Sequence, residues 1–341
     1  MGDGMISRVA DSCFWLYRYM ERVENVARLL DVNLLVVLDT QTNDQERWRP
    51  VLIVAGEEPR FIERFGADSA DDAQAVQNYM VFDEENPVSI MSSLRWAREN
   101  ARSIRDTISL EMWEALNAFW LWLGESGQKS FARDPHQFYS EVKEQCALFH
   151  GLTHNTVMHN DPFNFMRLGM LLERASQTAR VLDVKYHAMG PSRPDKESLE
   201  EGIEWIALLR SCSGYESFFK KSGVQFGGPS IAGFLILEPD FPRSILHCIG
   251  RAVNFIQRVR GADSGPIGEQ SAELLGALHA RLADTKIEDI TSAKAGIHKE
   301  CTRIVEETAR ICEAMRLDFF DPPLPQMAKM MKMGSMTQGQ S

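Results

Sequence analysis

The sequence lacks the common signatures of nucleotide and hydrolase chemistry. It contains no P-loop, no Gly-x-Gly-x-x-Gly fingerprint and no Gly-x-Ser-x-Gly nucleophile elbow. The two Glu-x-x-His elements of a di-iron carboxylate bundle are also missing. His150, His154 and His159 lie close together with Asp161, but their spacing matches no standard zinc site. We therefore predict neither a cofactor nor a metal.

Long apolar runs are absent too. The nearest, from Leu34 to Leu38, is far too short to span a bilayer. The first residues do not combine a basic region with an apolar run, so we expect no signal peptide, and Ile6 breaks the myristoylation pattern. The six cysteines are scattered without a Cys-x-x-Cys pair, as is typical of reduced, packed thiols. These features predict a cytoplasmic protein with no membrane partner.

The composition is that of an acidic globular protein. Of 341 residues, 44% are hydrophobic and 25% are charged, with a net charge of −11. An acidic balance argues against nucleic acid as the main partner. We predict a single helical domain over residues 1–322, divisible into halves 1–150 and 151–322. A Met-, Lys- and Gln-bearing tail without periodicity, residues 323–341, is predicted to be disordered.

Strand-like alternation is scarce, whereas helical periodicity is widespread. Only Val51–Val54 and Phe234–Leu237 are candidate strands, and both are short. Charged and apolar residues occupy opposite faces of a helix predicted from about Ile6 to Asp39. Further helices are predicted over Val88–Ile108, over Glu197–Lys221, over Pro242–Arg260 and over Ile287–Met315. Asn86 is predicted to be the N-cap of the first of these and Pro87 its N1 residue. The fold class predicted is an all-α, multi-helix bundle.

A charged helix motif, Glu-Arg-x-x-x-x-Ala-Arg-x-Leu-Asp-Val, occurs twice, 152 residues apart. Seven of its twelve positions are identical in the two copies: Glu21/Glu173, Arg22/Arg174, Ala27/Ala179, Arg28/Arg180, Leu30/Leu182, Asp31/Asp183 and Val32/Val184. The simplest explanation is an internal pseudo-duplication that places both helices in equivalent structural positions.

Charged positions match between the copies as well as apolar ones, and two interpretations follow. One is a buried polar network in which a glutamate of one helix meets an arginine of the other, because charges away from water must be paired. The other is a solvated face of local ion pairs such as Arg18/Glu21 and Glu24/Arg28. In either case the candidate binding residues are Arg18, Glu21, Arg22, Arg28, Asp31, Glu173, Arg174, Arg180 and Asp183.

The second copy carries an additional histidine. On a helical wheel Glu173, Arg180, Asp183 and His187 form one stripe, and Asp183 and His187 are i,i+4 neighbours. A carboxylate beside an imidazole orients it for proton transfer or metal binding. Glu173, Asp183 and His187 are therefore the candidate catalytic residues, although a helix-end histidine bonded to an aspartate is the commoner explanation of such a pair. The first copy has Leu35 in the place of His187.

Several ordered stretches resemble one protein family. They begin with Phe14-Trp15-Leu16-Tyr17-Arg18-Tyr19-Met20-Glu21-Arg22 and continue through residues 86–90, 97–102, 108–114, 172–175, 178–187, 208–216 and 234–244. Together they resemble the bacterial alpha-E domain family over about residues 5–320. Members of that family often have Asp where this chain has Glu238.

The resemblance implies an all-α protein that is encoded beside or fused with circularly permuted ATP-grasp amidoligase-like proteins and transglutaminase-like proteins. It implies participation in a system that makes or modifies peptide or amide bonds. The leading hypothesis is an accessory or co-catalytic role without independent activity, in which the chain binds the enzyme or its peptide or amino-acid substrate. No catalytic residue can be carried over from the family. Two alternatives stay open: an enzyme that uses Glu173, Asp183 and His187 as an acid–base site, and a non-catalytic helical assembly scaffold. A homo-oligomer is compatible with each.

Overall fold

Helices form the regular structure in the parts of the chain that this computed structural model describes, residues 3–40, 48–189, 199–221, 225–261, 267–291 and 296–321. No strand occurs in these ranges. The all-α prediction is therefore confirmed, and both candidate strands lie in helices. None of the described helices has an apolar stretch sufficient to cross a bilayer.

The α-helices, in chain order, are α1 (Asp3–Thr40), α2 (Arg49–Ala55), α3 (Glu58–Phe65), α4 (Ala73–Val81), α5 (Ile90–Ser103), α6 (Leu110–Trp122), α7 (Gln128–Arg133), α8 (Pro135–Thr156), α9 (Asp161–Met189), α10 (Leu199–Ser211), α11 (Tyr215–Lys220), α12 (Gly228–Leu237), α13 (Ile245–Arg260), α14 (Glu269–Asp284), α15 (Ile287–Thr291) and α16 (Gly296–Met315). A 3-10 turn (Ala67–Asp71) and two π-helical turns (Leu123–Gly127 and Arg316–Phe320) complete the regular structure.

The two motif helices, α1 and α9, lie side by side at the centre of the bundle. They run parallel, since Phe14 lies level with Gly169 and Arg22 with Glu173. Helices α5 and α8 pack against α1, whereas α13 and α16 pack against α9. A Cβ atom at Gly169 would lie 2.1 Å from the carbonyl oxygen of Phe14, so glycine is what permits this close approach.

The start of α5 differs from the prediction. Ser89 caps the helix, because its hydroxyl accepts a hydrogen bond from the Ser92 amide at 3.0 Å. Asn86 is instead buried in the preceding turn, where its side chain accepts from the Val88 amide and donates to the Tyr79 carbonyl. Two cap-forming residues lie close together here, and Asn86 is already used in closing the turn. In the same way α13 begins at Ile245, with Ser244 and not the Pro242 region as its cap.

The helix predicted over Glu197–Lys221 is in fact divided into α10 and α11. The Gly214 amide donates to the Leu209 carbonyl at 2.7 Å and the Ser213 amide to the Arg210 carbonyl at 2.9 Å. This is a Schellman ending, with Ser213 in the left-handed region at a φ of 54°. The helix predicted over Ile287–Met315 is described as α15 and α16, and residues 292–295 between them lie outside the described part. The predicted tail, residues 323–341, also lies outside it, and the division into domains stays a prediction.

Candidate functional site

The two motif copies exchange ion pairs reciprocally. Arg22 donates its Nε to Glu173 Oε1 at 2.8 Å. Arg174 donates its Nε and Nη2 to the two oxygens of Glu21 at 2.8 and 2.7 Å. Both glutamates are buried, which confirms the interpretation of a buried network between the helices. The two pairs are related by the same 152-residue offset as the motif, as a duplication would produce, although the duplication itself stays a prediction.

Two further arginines complete the pairing of the buried glutamates. Arg18 donates Nε and Nη2 to Glu173 Oε2 at 2.9 and 2.6 Å. Arg243, just before α13, donates Nη1 to Glu21 at 3.0 Å and Nη2 to Glu24 at 2.5 Å. The sequence reasoning missed Arg243, and its only signal was a place within the family-like stretch 234–244.

One local pair predicted by the alternative interpretation is also present. Arg28 donates Nε and Nη2 to Glu24 Oε1 at 2.9 and 2.6 Å within α1. Glu24 therefore links Arg28 on its own helix to Arg243, which lies outside that helix. We call the set Arg18, Glu21, Arg22, Glu24, Arg28, Glu173, Arg174 and Arg243 the charged network.

The glutamates of the charged network are held ionised. Burial alone would raise the pKa of Glu173, but Arg22 and Arg18 outweigh it and lower the pKa to about 2. Burial likewise opposes ionisation of Glu21, and Arg174 and Arg243 hold its pKa well below the ordinary range. At neutral pH both are carboxylates that only accept hydrogen bonds, so neither is a general acid.

This pairing predicts acid sensitivity. Because the pKa of Glu173 falls from 4.5 to about 2 on folding, its ionisation stabilises the chain above pH 4.5, and the stabilisation is lost as the pH falls toward 2. We expect this residue to contribute about 2 kcal/mol to the loss of unfolding free energy between pH 7 and pH 3. Urea unfolding at pH 7, 5, 4 and 3 measures this, with Glu173→Gln as the comparison. A variant whose pH dependence is as steep as that of the wild type would contradict the prediction.

His150 of α8 lies beside the network without joining it by a hydrogen bond. Neither of its buried ring nitrogens has a hydrogen-bond partner among the described residues, and Nε2 lies 3.8 Å from Glu24 Oε2. Burial lowers the pKa of His150 although Glu24 and Glu21 act in the opposite direction. One ligand atom each of Glu21, Glu24 and His150 lie within 4.8 Å of one another. Arg174 and Arg243 disfavour a metal there, because they occupy carboxylate lone pairs and repel a cation.

The last acidic residue of each motif copy pairs with a histidine from another helix. Asp31 Oδ1 lies 2.5 Å from His136 Nδ1 of α8, and Lys143 donates to its second oxygen at 2.6 Å. Asp183 Oδ1 lies 2.7 Å from His298 Nδ1 of α16. The predicted partner of Asp183 was His187, whose side chain lies outside the described part of the chain. Carboxylates that orient half-exposed imidazoles are thus present, but on histidines that the local spacing did not identify.

The remaining candidate residue, Arg180, lies apart from the charged network. A Cβ atom at Gly56 would lie 3.6 Å from its Nη1, which places the guanidinium against the end of α2. The structure therefore brings six of the predicted binding residues together in the network: Arg18, Glu21, Arg22, Arg28, Glu173 and Arg174. It places Asp31 and Asp183 in the histidine pairs. Their role in binding stays a prediction.

A narrow cleft opens beside the charged network, between α1 and α9. Its internal volume is about 30 Å³. Its polar lining consists of Arg22, Asn25, Gln177, Thr178, Ser211 and Arg243, and its other walls are Val26, Leu29, Val54, Ala55, Met80, Val88, Val181 and Cys212. Three pairs of these residues, Asn25/Gln177, Val26/Thr178 and Leu29/Val181, share the 152-residue offset of the motif.

Comparison with known proteins identifies one family. The Alpha-E family, described as a predicted alpha-helical domain with a conserved ER motif, matches residues 5–320. The Glu-Arg steps Glu21-Arg22 and Glu173-Arg174 of the charged network agree with that description.

Curated relatives come from mycobacteria. Uncharacterised proteins of Mycobacterium tuberculosis and Mycobacterium bovis are 21% identical to this chain over 307 residues. The match covers 84% of this chain and 33% of each relative, so the chain spans about a third of their length. No solved structure matches the chain significantly.

Proposed function

Because the chain belongs to the Alpha-E family, we propose that it acts as an accessory or co-catalytic partner of an ATP-grasp amidoligase-like enzyme that makes or modifies peptide or amide bonds. The partner supplies the chemistry, and this chain supplies a rigid helical body that binds the enzyme or its substrate. A transglutaminase-like protein is a second partner of the same system.

The proposal rests on the ionisation and pairing of the motif carboxylates. A general base works best with a pKa near the operating pH and with a free lone pair. Glu173 has a pKa of about 2 and accepts from Arg18 and Arg22. Glu21 is fully buried and paired with Arg174 and Arg243. The residues that define the motif therefore stabilise the packing of α1 on α9, which favours a partner protein as the source of catalysis.

The relative lengths of the proteins support the same proposal. Each mycobacterial relative has about two thirds of its length outside the match. A domain that occurs within much longer chains is well suited to act beside other domains. We therefore expect this chain to associate with a separate protein or domain in order to work.

Reconstitution tests the proposal. The purified chain is mixed with the ATP-grasp protein encoded nearest to it, and ATP turnover and amide products are measured by coupled assay and mass spectrometry. We expect the chain alone to be inactive, the mixture to co-elute in size-exclusion chromatography, and product formation to rise at least about tenfold over the enzyme alone, a gain worth about 1.4 kcal/mol in the barrier. If the chain neither co-elutes nor changes the products, the proposal is wrong.

A variant separates the accessory role from an enzyme in its own right. His298→Ala removes the imidazole oriented by Asp183 and leaves the charged network intact. Under the proposal this variant still binds the ATP-grasp protein and still stimulates it. If the folded variant binds but stimulation is abolished, chemistry on this chain is indicated instead. A scaffold without catalysis would co-elute but leave the rate unchanged.

A further inference from the structure

The charged network contains more positive than negative charge. Its five arginines face three carboxylates, which leaves an excess of two positive charges in a chain whose net charge is −11. The arginine side chains are only 10–25% exposed. A charge that is largely removed from water requires a counter-charge or hydrogen-bond acceptors. The excess therefore favours an anion beside the network.

Arg22 is the arginine of the network in which both terminal nitrogens are free of acceptors among the described residues. Its Nε is bound to Glu173, whereas Nη1 and Nη2 have no acceptor among the described residues. The other four each use at least one terminal nitrogen in a hydrogen bond. Arg22 also lines the cleft between α1 and α9. Its unused terminal nitrogens present a planar pair of donors, the arrangement that binds a carboxylate in a bidentate manner.

The rest of the cleft fits a small head group with an apolar neighbour. Gln177 and Asn25 line it with amide groups, and Gln177 uses only a long hydrogen bond of 3.4 Å to Glu173. Aliphatic side chains such as Val26, Leu29 and Val181 line the rest of it. A volume of about 30 Å³ accommodates a carboxylate, which is comparable to one or two water molecules, and leaves the remainder of a ligand outside.

We propose that this cleft binds the C-terminal carboxylate of a peptide on the terminal nitrogens of Arg22, with Gln177 as a neighbouring amide, the aliphatic side chains beside the carboxylate and the rest of the peptide outside. The binding of a carboxylate follows from the cleft itself, and the choice of a peptide as its bearer rests on the proposed function. A carboxylate held in this way is the group that an amide-forming enzyme would act upon or release.

Calorimetric titration of the full chain at low salt tests the proposal. The probes are N-acetyl-alanyl-alanine, the same dipeptide with a C-terminal amide, free alanine and inorganic phosphate. We expect the dipeptide acid to bind, and the amide to bind at least about tenfold more weakly, since a charge-assisted hydrogen bond is worth about 1.5–3 kcal/mol. Alanine should bind more weakly because its cationic amine is repelled by the excess positive charge of the network, and phosphate because it is larger than a planar carboxylate. Arg22→Gln should weaken the acid at least about tenfold. Arg64→Gln, which removes a surface arginine paired with Asp83 and Glu85, should bind like the wild type.

A second variant keeps the test informative if Arg22→Gln does not fold. Ala55→Trp adds a bulky side chain to the lining of the cleft without changing a charge of the network, and it should also abolish binding. Circular dichroism and thermal unfolding establish that each variant is folded. Equal binding of acid and amide, tighter binding of phosphate, or no binding of the acid at millimolar concentration would each overturn the proposal. Because the titration contains no enzyme, its failure leaves co-elution with the ATP-grasp protein as a separate result.

Discussion

Glu21→Gln is expected to lower the free energy of unfolding by about 3–5 kcal/mol, the cost typical of breaking a buried ion pair. Glu21 is fully buried and accepts from Arg174 and Arg243. The substitution keeps the shape of the side chain but removes the buried counter-charge of Arg174 and leaves Arg243 with Glu24 alone. Urea unfolding followed by circular dichroism measures the change.

A matched surface variant and a double-mutant cycle show whether the loss comes from the network. Glu313→Gln removes a carboxylate that pairs with Arg316 in solvent, and we expect its stability to equal that of the wild type. Adding Arg174→Gln to Glu21→Gln should cost about 1–3 kcal/mol less than the sum of the single variants, because the stranded cation is removed. If Glu21→Gln is as mild as Glu313→Gln, the pair is not buried in solution and the account of the network fails.

The centre of the fold could be predicted because its signal is repeated in the sequence. Two copies of one amphipathic charged pattern predicted two long helices. The matching of Glu21 with Glu173 and of Arg22 with Arg174 indicated that these charges take part in packing. In the structure these glutamates are buried, and each accepts hydrogen bonds from the arginine of the other helix.

Partners that are distant in the sequence could not be predicted in this way. Arg243 meets Glu21 across 222 positions and His298 meets Asp183 across 115 positions. A helical wheel ranks only neighbours on one helix, so it favoured His187 as the partner of Asp183. The packing of α13 and α16 against α9 decides these contacts, and no single-helix pattern contains that information.

Two helix boundaries were predicted wrongly, because tertiary contacts decide them. Ser89 and Asn86 are both good N-cap residues, and the tertiary bond of Asn86 to the Tyr79 carbonyl decides between them. The end of α10 depends on Ser213 adopting a left-handed conformation. The next residue, Gly214, has no room for a side chain, because an added Cβ would lie 3.1 Å from the rings of Phe234 and Phe241. Packing of this kind is decided by the folded chain and not by propensity.

Gly169→Ala is expected to destabilise the chain by about 3 kcal/mol, at the upper end of the usual cost of overpacking. The added Cβ would lie 2.1 Å from the carbonyl oxygen of Phe14, a backbone atom that cannot rotate away. Helix α9 must therefore move from α1, and the same displacement lengthens the bonds between Arg18 or Arg22 and Glu173. Urea unfolding gives the loss of stability.

The control is a Gly→Ala substitution that should raise the stability instead of lowering it. Gly151 is exposed in the C-terminal half of α8, and nothing lies within 4 Å of an added Cβ, so Gly151→Ala should stabilise the chain by about 0.5–1 kcal/mol through helix propensity. The coupling between Glu21 and Arg174 should also shrink in the Gly169→Ala background, because the two helices that carry them are forced apart. If Gly169→Ala stabilises the chain as Gly151→Ala does, then α1 and α9 do not approach closely, and the reciprocal pairing that depends on this approach is wrong as well.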